Sequence, residues 1–290
     1  SYPVQARELT SLQSMLQNQI EQFGDNIFKE GSIVIPGGVS YNSRYQCIEL
    51  QNTFSGVEVS TYISALVGTT IRGETTGITA VVDNFLTSDQ SEKSNATLYV
   101  VYLRSGNDEE GSKTFADGEN LITESGISLS NVLIGSNETF ATTIAQDASS
   151  TGSSFNLDEG VYYLRGHFVE VSTQTLILDQ YTNEPSYKVG FNILEEIITA
   201  DEDESLYDNA QGFNNFGAPG ADRLKITATL SKRAIDDTYS DNFIQITQIR
   251  DGDILNTPTG PSYNVIQDSI AAARYDESGD YYIMPFEVDV

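Results

Sequence analysis

The hydrophobic period of the chain changes between residues 27 and 33, and that change limits what it can fold into. Before it, Leu9, Leu12, Leu16, Ile20, Phe23 and Ile27 follow one another at steps of three or four, which predicts an amphipathic helix. After it, "SIVIPGGVSYN" sets Ile33 and Ile35 on one face and turns at Pro36-Gly37-Gly38. The rest reads mostly as strands. The expected fold class is therefore mainly β: an N-terminal amphipathic helix, then a β-sandwich-like main domain with an inserted small β-module.

The helix raises the first functional question, because its apolar face must be buried against something. Its apolar steps average the period of a straight helix rather than strict heptads, so a sustained coiled coil is not expected. Gln13, Gln17, Asn18 and Gln22 supply a polar face almost free of charge, more like a contact surface than a solvated one. Three destinations stay open: the chain's own β-domain, copies of itself around a symmetry axis, or another subunit. Leu9, Leu12, Leu16, Ile20, Phe23 and Ile27 are the candidate contacts in each case.

The strands differ in how they should be covered. "ATLYVVYL" alternates Leu98, Val100 and Tyr102 with Tyr99, Val101 and Leu103, apolar on both faces, and belongs in the middle of a sandwich or barrel. "RLKITATL" points Leu224, Ile226, Ala228 and Leu230 inward and leaves Lys225, Thr227 and Thr229 wet. Between residues 68 and 150 the texture becomes rich in Gly, Thr and Ser, with an acidic turn at "SGNDEEGS". That stretch is expected to be the inserted β-module, with "AQDASSTGSSFNLDEG" as its return linker. The expected domains are the helix at 1–31, a discontinuous main domain at 32–67 and 151–290, and the module at 68–150. A chain of 290 residues is long enough for one large core or two modest ones.

Two further elements carry contact predictions. "ADEDESLYDNAQGFNNFGAPGADR" is too long for an idle connection, so it is either functional or ordered by a neighbour, and Asn214, Asn215 and Phe216 are its candidate partner contacts. "SYNVIQDSIAAARYDESGD" reads as a short helix capped by Ser262 or Asn264 and closed at Gly279. The final "YYIMPFEVDV" alternates as an edge strand, with Met284, Phe286 and Val288 as candidate contacts. Such an apolar strand is expected to continue in the gene or to be completed by a partner.

Charge and composition narrow the chemistry. Fifteen Lys plus Arg against forty-two Asp plus Glu give a net charge of -27, which repels phosphate backbones and argues against nucleic-acid partners. No apolar run approaches the roughly eighteen residues needed to span a bilayer, and no secretory leader pattern opens the chain, so membrane insertion is not expected. Cys47 is the only cysteine, which excludes an internal disulfide and fits assembly in a reducing cytoplasm. It sits in an ordinary strand.

No catalytic constellation emerges from the residue pattern. His167 is the single histidine and lies mid-strand, so a Ser-His-Asp triad or a histidine zinc site would have to be built on it alone. Asp201, Glu202, Asp203 and Glu204 lack the spacing of a calcium loop and read as a solvated run. "GETTGITAVV" offers glycines but neither the Lys nor the helix of a phosphate cradle. No metal, cofactor or enzymatic activity is expected.

Several blocks of the sequence are familiar. "YPVQARELTSLQSMLQNQIEQFGDNIFKEGSIVIPG", "VYYLRGHFVEV", "PSYKVGFNILEEIIT", "APGADRLKITATLSKR" and "RYDESGDYYIMPFEV" together resemble a family of structural proteins from the tails of large myoviruses, including marine and cyanobacterial ones. "TTIRGETTGITAVV" looks like a small module of phage tail proteins. The resemblance implies a virion protein, assembled in the host cytoplasm as part of the baseplate wedge or of the attached tail-fibre network. It would act as a homo-oligomer, expected to be a trimer, among other baseplate and tail-fibre proteins. Two other readings stay open: a receptor-binding adhesin whose module and long loop touch host surface sugars, and a depolymerase.

Overall fold

The fold was analysed on a computed structural model, which describes residues 6–35, 37–106, 111–129, 132–238, 241–256, 270, 272–277 and 279. The chain opens with helix α1 (Ala6–Asp25), followed by β1 (Ile33–Ile35) and the long β2 (Val39–Glu49). A small hairpin, β3 (Thr53–Phe54) and β4 (Val57–Glu58), leads through two 3-10 turns to β5 (Thr70–Gly73) and β6 (Thr79–Leu86). Next come β7 (Thr97–Arg104), β8 (Asn120–Thr123), β9 (Ile127–Leu129), β10 (Val132–Ile134) and β11 (Glu138–Thr142). Strands β12 (Ser149–Leu157), β13 (Gly160–Leu164), β14 (His167–Val171) and β15 (Gln174–Asp179) continue the chain. The last strands described are β16 (Tyr187–Ile198), β17 (Arg223–Ala234), β18 (Phe243–Arg250) and β19 (Asp253–Asn256). The protein is thus mainly β, with several antiparallel sheets and an N-terminal helix.

One sheet organises the molecule. Its eight strands run β11-β8-β5-β6-β7-β2-β12-β15, and every pair is antiparallel. A four-stranded sheet (β17-β16-β18-β19) and a three-stranded one (β1-β13-β14) accompany it. The eight-stranded sheet draws on both sides of the expected boundaries at residues 67 and 150, so the stretch 68–150 shares its hydrogen-bond ladder with β2, β12 and β15. The cores divide the chain elsewhere. One gathers Ile48, Leu66, Ile71, Val82, Leu98 and Phe140, all within residues 48–141. The other gathers Phe155, Leu157, Tyr162, Val189, Phe191 and Ile244, with Ile33, Val39 and Tyr41 at its margin. Strand β2 crosses from one to the other: its first half borders the second core, and Ile48 near its end enters the first.

The stretch read as a return linker is instead strand β12, hydrogen-bonded on both sides. Its small residues are what a doubly paired, closely approached strand needs. A Cβ at Gly152 would stand 2.5 Å from the Gln180 carbonyl oxygen. Ser153 Oγ accepts from Asp179 N at 3.1 Å, and Ser150 Oγ lies 3.0 Å from Cys47 Sγ. Ser150 and Ser153 pack here because each finds a partner, whereas the buried Ser154 Oγ and Asn156 Oδ1 have none among the described residues.

Strand β7 is central and apolar on both faces only up to Val100: Leu98 and Val100 enter the first core, and Tyr99 stacks on Tyr45 at 4.5 Å on the other side. Beyond it, Val101 and Leu103 emerge into solvent. Strand β17 behaves alike, burying Leu230 and half-burying Ile226 and Ala228 while Leu224 is exposed. Near the end, residues 270 and 272–277 are helical. Ser262, Asn264 and residues 107–110 of the acidic turn lie outside the described residues, as do Met284, Phe286 and Val288.

Candidate functional site

Helix α1 sits on the molecule by the side the sequence marks as polar. Its seat is the β13–β14 turn, where Arg165 and Gly166 both adopt positive φ (49° and 75°), the geometry a two-residue hairpin needs. Gly166 is required twice, since a Cβ there would also meet Glu21 Cγ at 2.8 Å. Gln17 Nε2 donates to the Gly166 carbonyl at 3.3 Å. Lower down, the buried Tyr163 hydroxyl donates to Asp25 Oδ1 at 2.7 Å and lies 3.2 Å from the Glu21 carbonyl. Burial, reinforced by the Asp25 carboxylate, pushes that phenol well above its ordinary pKa. Gly24 permits the approach: a Cβ at that position would stand 2.4 Å from the Tyr163 ring.

Aromatic and ionic contacts fix the base of the helix. Phe28, Tyr163 and Phe168 form a trio with ring centroids 5.4 to 5.6 Å apart. Arg165 N donates to Glu30 Oε1 at 2.7 Å, and its guanidinium reaches Glu195 at 2.8 Å and the Asp241 carbonyl at 2.6 Å. The turn, the segment after α1, strand β16 and the β17–β18 connection are thereby tied at one residue. His167 serves the same region, its Nδ1–H donating to the Arg165 carbonyl at 2.7 Å while the ring lines the groove under Gln13 and Gln17.

With that side seated, the apolar stripe faces away. Leu9, Leu12, Leu16, Ile20 and Phe23 are between 43% (Ile20) and 64% (Phe23) exposed. Met15, which the period-counting passed over, joins them. Ile27 does not: it lies beyond the helix and is half-buried. Among the described residues, no strand of the chain covers the apolar face. Seat and stripe lie about a quarter-turn apart at ~100° per residue.

The long loop is ordered by its own contacts. It joins β16 to β17, whose outer halves reach past the core and leave Leu194, Ile197 and Leu224 exposed. Tyr207 pairs with Pro219, Asp208 N donates to the Ala218 carbonyl at 3.0 Å, and Gly217 N donates to the Asp208 carbonyl at 2.9 Å. Asn215 donates from its amide to the Asp208 carboxylate. Asn214 faces solvent with Phe213 (70% exposed) and Phe216 (56%). The sequence reading named Phe216 but passed over Phe213, and it missed Leu194 and Ile197 because "NILEEIIT" follows neither helical nor alternating spacing.

A shallow apolar cleft of about 320 Å³ opens between Phe54, Val57, Tyr62, Val132 and Ile134, with Leu133, 83% exposed, on its rim and Glu138 as its one charged wall. Among the described residues no group of three His, Cys, Asp or Glu could hold a metal ion. No helix among them is long and apolar enough to cross a membrane. Cys47 is buried, and its thiol is pushed up by desolvation rather than activated.

No curated protein and no solved structure matches the chain. Residues 141–290, from the end of β11 onward, match the model of a domain of unknown function, DUF4815. That match takes in more than half of the chain, and the protein belongs to the DUF4815 family.

Proposed function

We propose that this protein is a structural component of a contractile-tailed phage virion, an architectural part of the baseplate wedge or of the fibre network attached to it. It acts by association, not by catalysis, and assembles as a homotrimer through α1 before joining other baseplate and tail-fibre proteins. The observation that carries the reading is the solvent-facing stripe of α1, held in place by a polar seat. Counting Met15, the stripe spans about 140° of the helix, broader than the seam of a two-stranded coil and wide enough to meet two neighbours at once. A threefold bundle supplies two neighbours. The resemblance to myovirus tail proteins supports the virion setting.

Magnitudes support association as well. Moving five half-exposed large side chains out of water contributes about 1 kcal/mol each, so three helices together contribute on the order of 15 kcal/mol. Bringing protomers together costs at least about 4 kcal/mol per association, which this offsets only if the stripes are well covered. The same reading takes the second core as sandwich-like, supported by the sharing of one cluster between Phe155 and Leu178 of β12 and β15 and Phe191 and Ile244 of β16 and β18.

Light scattering tests the assembly. The intact chain is expected at three times its 31.8 kDa mass. The double variant Leu12→Asp/Leu16→Asp is expected at the monomer mass and still cooperatively folded, melting below the wild type only by what the lost assembly contributes, since each buried unpaired carboxylate costs several kcal/mol only in the assembled state. An intact protein already monomeric, or a double variant still trimeric, sinks the helix reading. Gold-labelled antibody seen by electron microscopy on purified particles tests the setting; label away from the tail rejects it.

A further inference from the structure

We propose that the tip of the β16–β17 arm docks into an apolar socket ringed by Lys and Arg on a second, different protein. The anchors are Phe213 and Phe216. Both are exposed, yet the loop that carries them is pinned by the Tyr207–Pro219 bridge, by Asp208 to Ala218 and Gly217, and by the Asn215 amide on Asp208. Gly212 and Gly217 hold positive φ (86° and 75°) on either side of them. Rigid aromatic side chains on a preformed loop lose little freedom on binding, which is what makes such residues effective anchors.

The charge around the anchors selects the occupant. From residue 194 to residue 225 the arm holds eight carboxylates, one of them Glu195 already paired with Arg165, against two basic residues, Arg223 and Lys225. A partner surface covering Phe213 and Phe216 must approach that collar, so it has to carry cations. A second copy of this chain does not qualify, because it presents forty-two acidic residues against fifteen basic ones. Nucleic acid and anionic lipid are repelled for the same reason. Sugar recognition is poorly served as well: the Asn215 amide is engaged inside the loop.

Two labelled helical peptides of roughly 20 residues test the docking by fluorescence anisotropy against the intact protein. Both carry one Leu face; one has Lys flanks and the other Glu flanks. The Lys peptide is expected to bind, the Glu peptide not to bind, and Phe213→Ser/Phe216→Ser to weaken the Lys peptide roughly tenfold or more. The two side chains lie outside the core, so the variant is expected to melt with the wild type. Equal binding of the Lys peptide by both proteins would reduce the effect to bulk charge and overturn the proposal. So would equal binding of the two peptides, or a self-association of the wild type that the double substitution abolishes. Because α1 is unaltered, a failure here leaves the trimer mass in place, and a failure of the trimer leaves the peptide contrast to be read on the monomer.

Discussion

Helix α1 and the β16–β17 arm both hold large apolar side chains in water, and their surroundings differ in charge. The stripe on α1 is flanked by Gln13 and Gln22 and interrupted by Gln19, and in its twenty residues the helix carries only Arg7, Glu8, Glu21 and Asp25 as charges. The tip of the arm is collared by carboxylates. A neutral flank suits contact between like copies, since two identical surfaces cannot be complementary through net charge. An acidic collar forbids such a contact and favours a cationic stranger. The two surfaces also differ in support. The helix rests on residues tied into the sheets, whereas the loop is held almost wholly by hydrogen bonds within itself.

The largest effect expected within this comparison comes from the support of α1. Gly24→Val drives a side chain into the Tyr163 ring, already 2.4 Å from the position of a Cβ. Overpacking of this kind costs about 1–3 kcal/mol, enough to lower the melting temperature by several degrees in a chain of this size. The stripe then loses its fixed direction, and the trimer is expected to weaken without any change to a stripe residue. A variant that melts and assembles like the wild type would show that the seat does not position the helix. No equivalent single contact exists for the loop among the described residues, because its pins are many and local.

Salt separates the two surfaces by sign. Raising it from about 0.1 M to about 1 M shortens the screening length from ~10 Å to ~3 Å. Three protomers of net charge -27 repel one another, so the trimer is expected to tighten several-fold as that repulsion is screened. The contact of the arm with the Lys peptide is expected to weaken several-fold over the same range. Sedimentation and anisotropy read the two trends. Parallel trends would mean that both surfaces work by the same physics and that the neutral flank of α1 is incidental.

How much of this was legible in the sequence depends on what kind of information each feature needed. The helix was legible, because Leu9 to Phe23 repeat at its period. Which side of it rests on the protein was not. Hydrophobic period locates an apolar face, but seating depends on Gly24 meeting Tyr163 and Gly166, which lie over a hundred residues further along the chain and are in place only after β13 and β14 have folded. Strand β12 was hidden for the opposite reason. Ser and Gly look like a linker in isolation, and only the approach of β2 and β15 on either side shows why small residues are needed there. The loop was marked by its length, but its order came from pairings such as Asp208 with Ala218 that local propensity does not report.

The smallest expected effect concerns one pin of the loop. Asp203 precedes the 3-10 turn Glu204–Leu206 and accepts from Ser205 N at 2.9 Å. The Ser205 hydroxyl and that N–H hold its carboxyl below its ordinary pKa of 3.8. A depressed folded value means that the contribution is present above pH 3.8 and is lost as pH falls through the lower folded value. Amide exchange at Ser205 should therefore keep its protection at pH 4 and lose it on further acidification, whereas Asp203→Asn should make that loss independent of pH. Gln17, which seats the middle of α1 on the Gly166 carbonyl, is an amide and does not titrate, so protection at that turn of the helix should not follow the same curve. If it does, the loop and the helix are not independent surfaces, and one partner could be reading both.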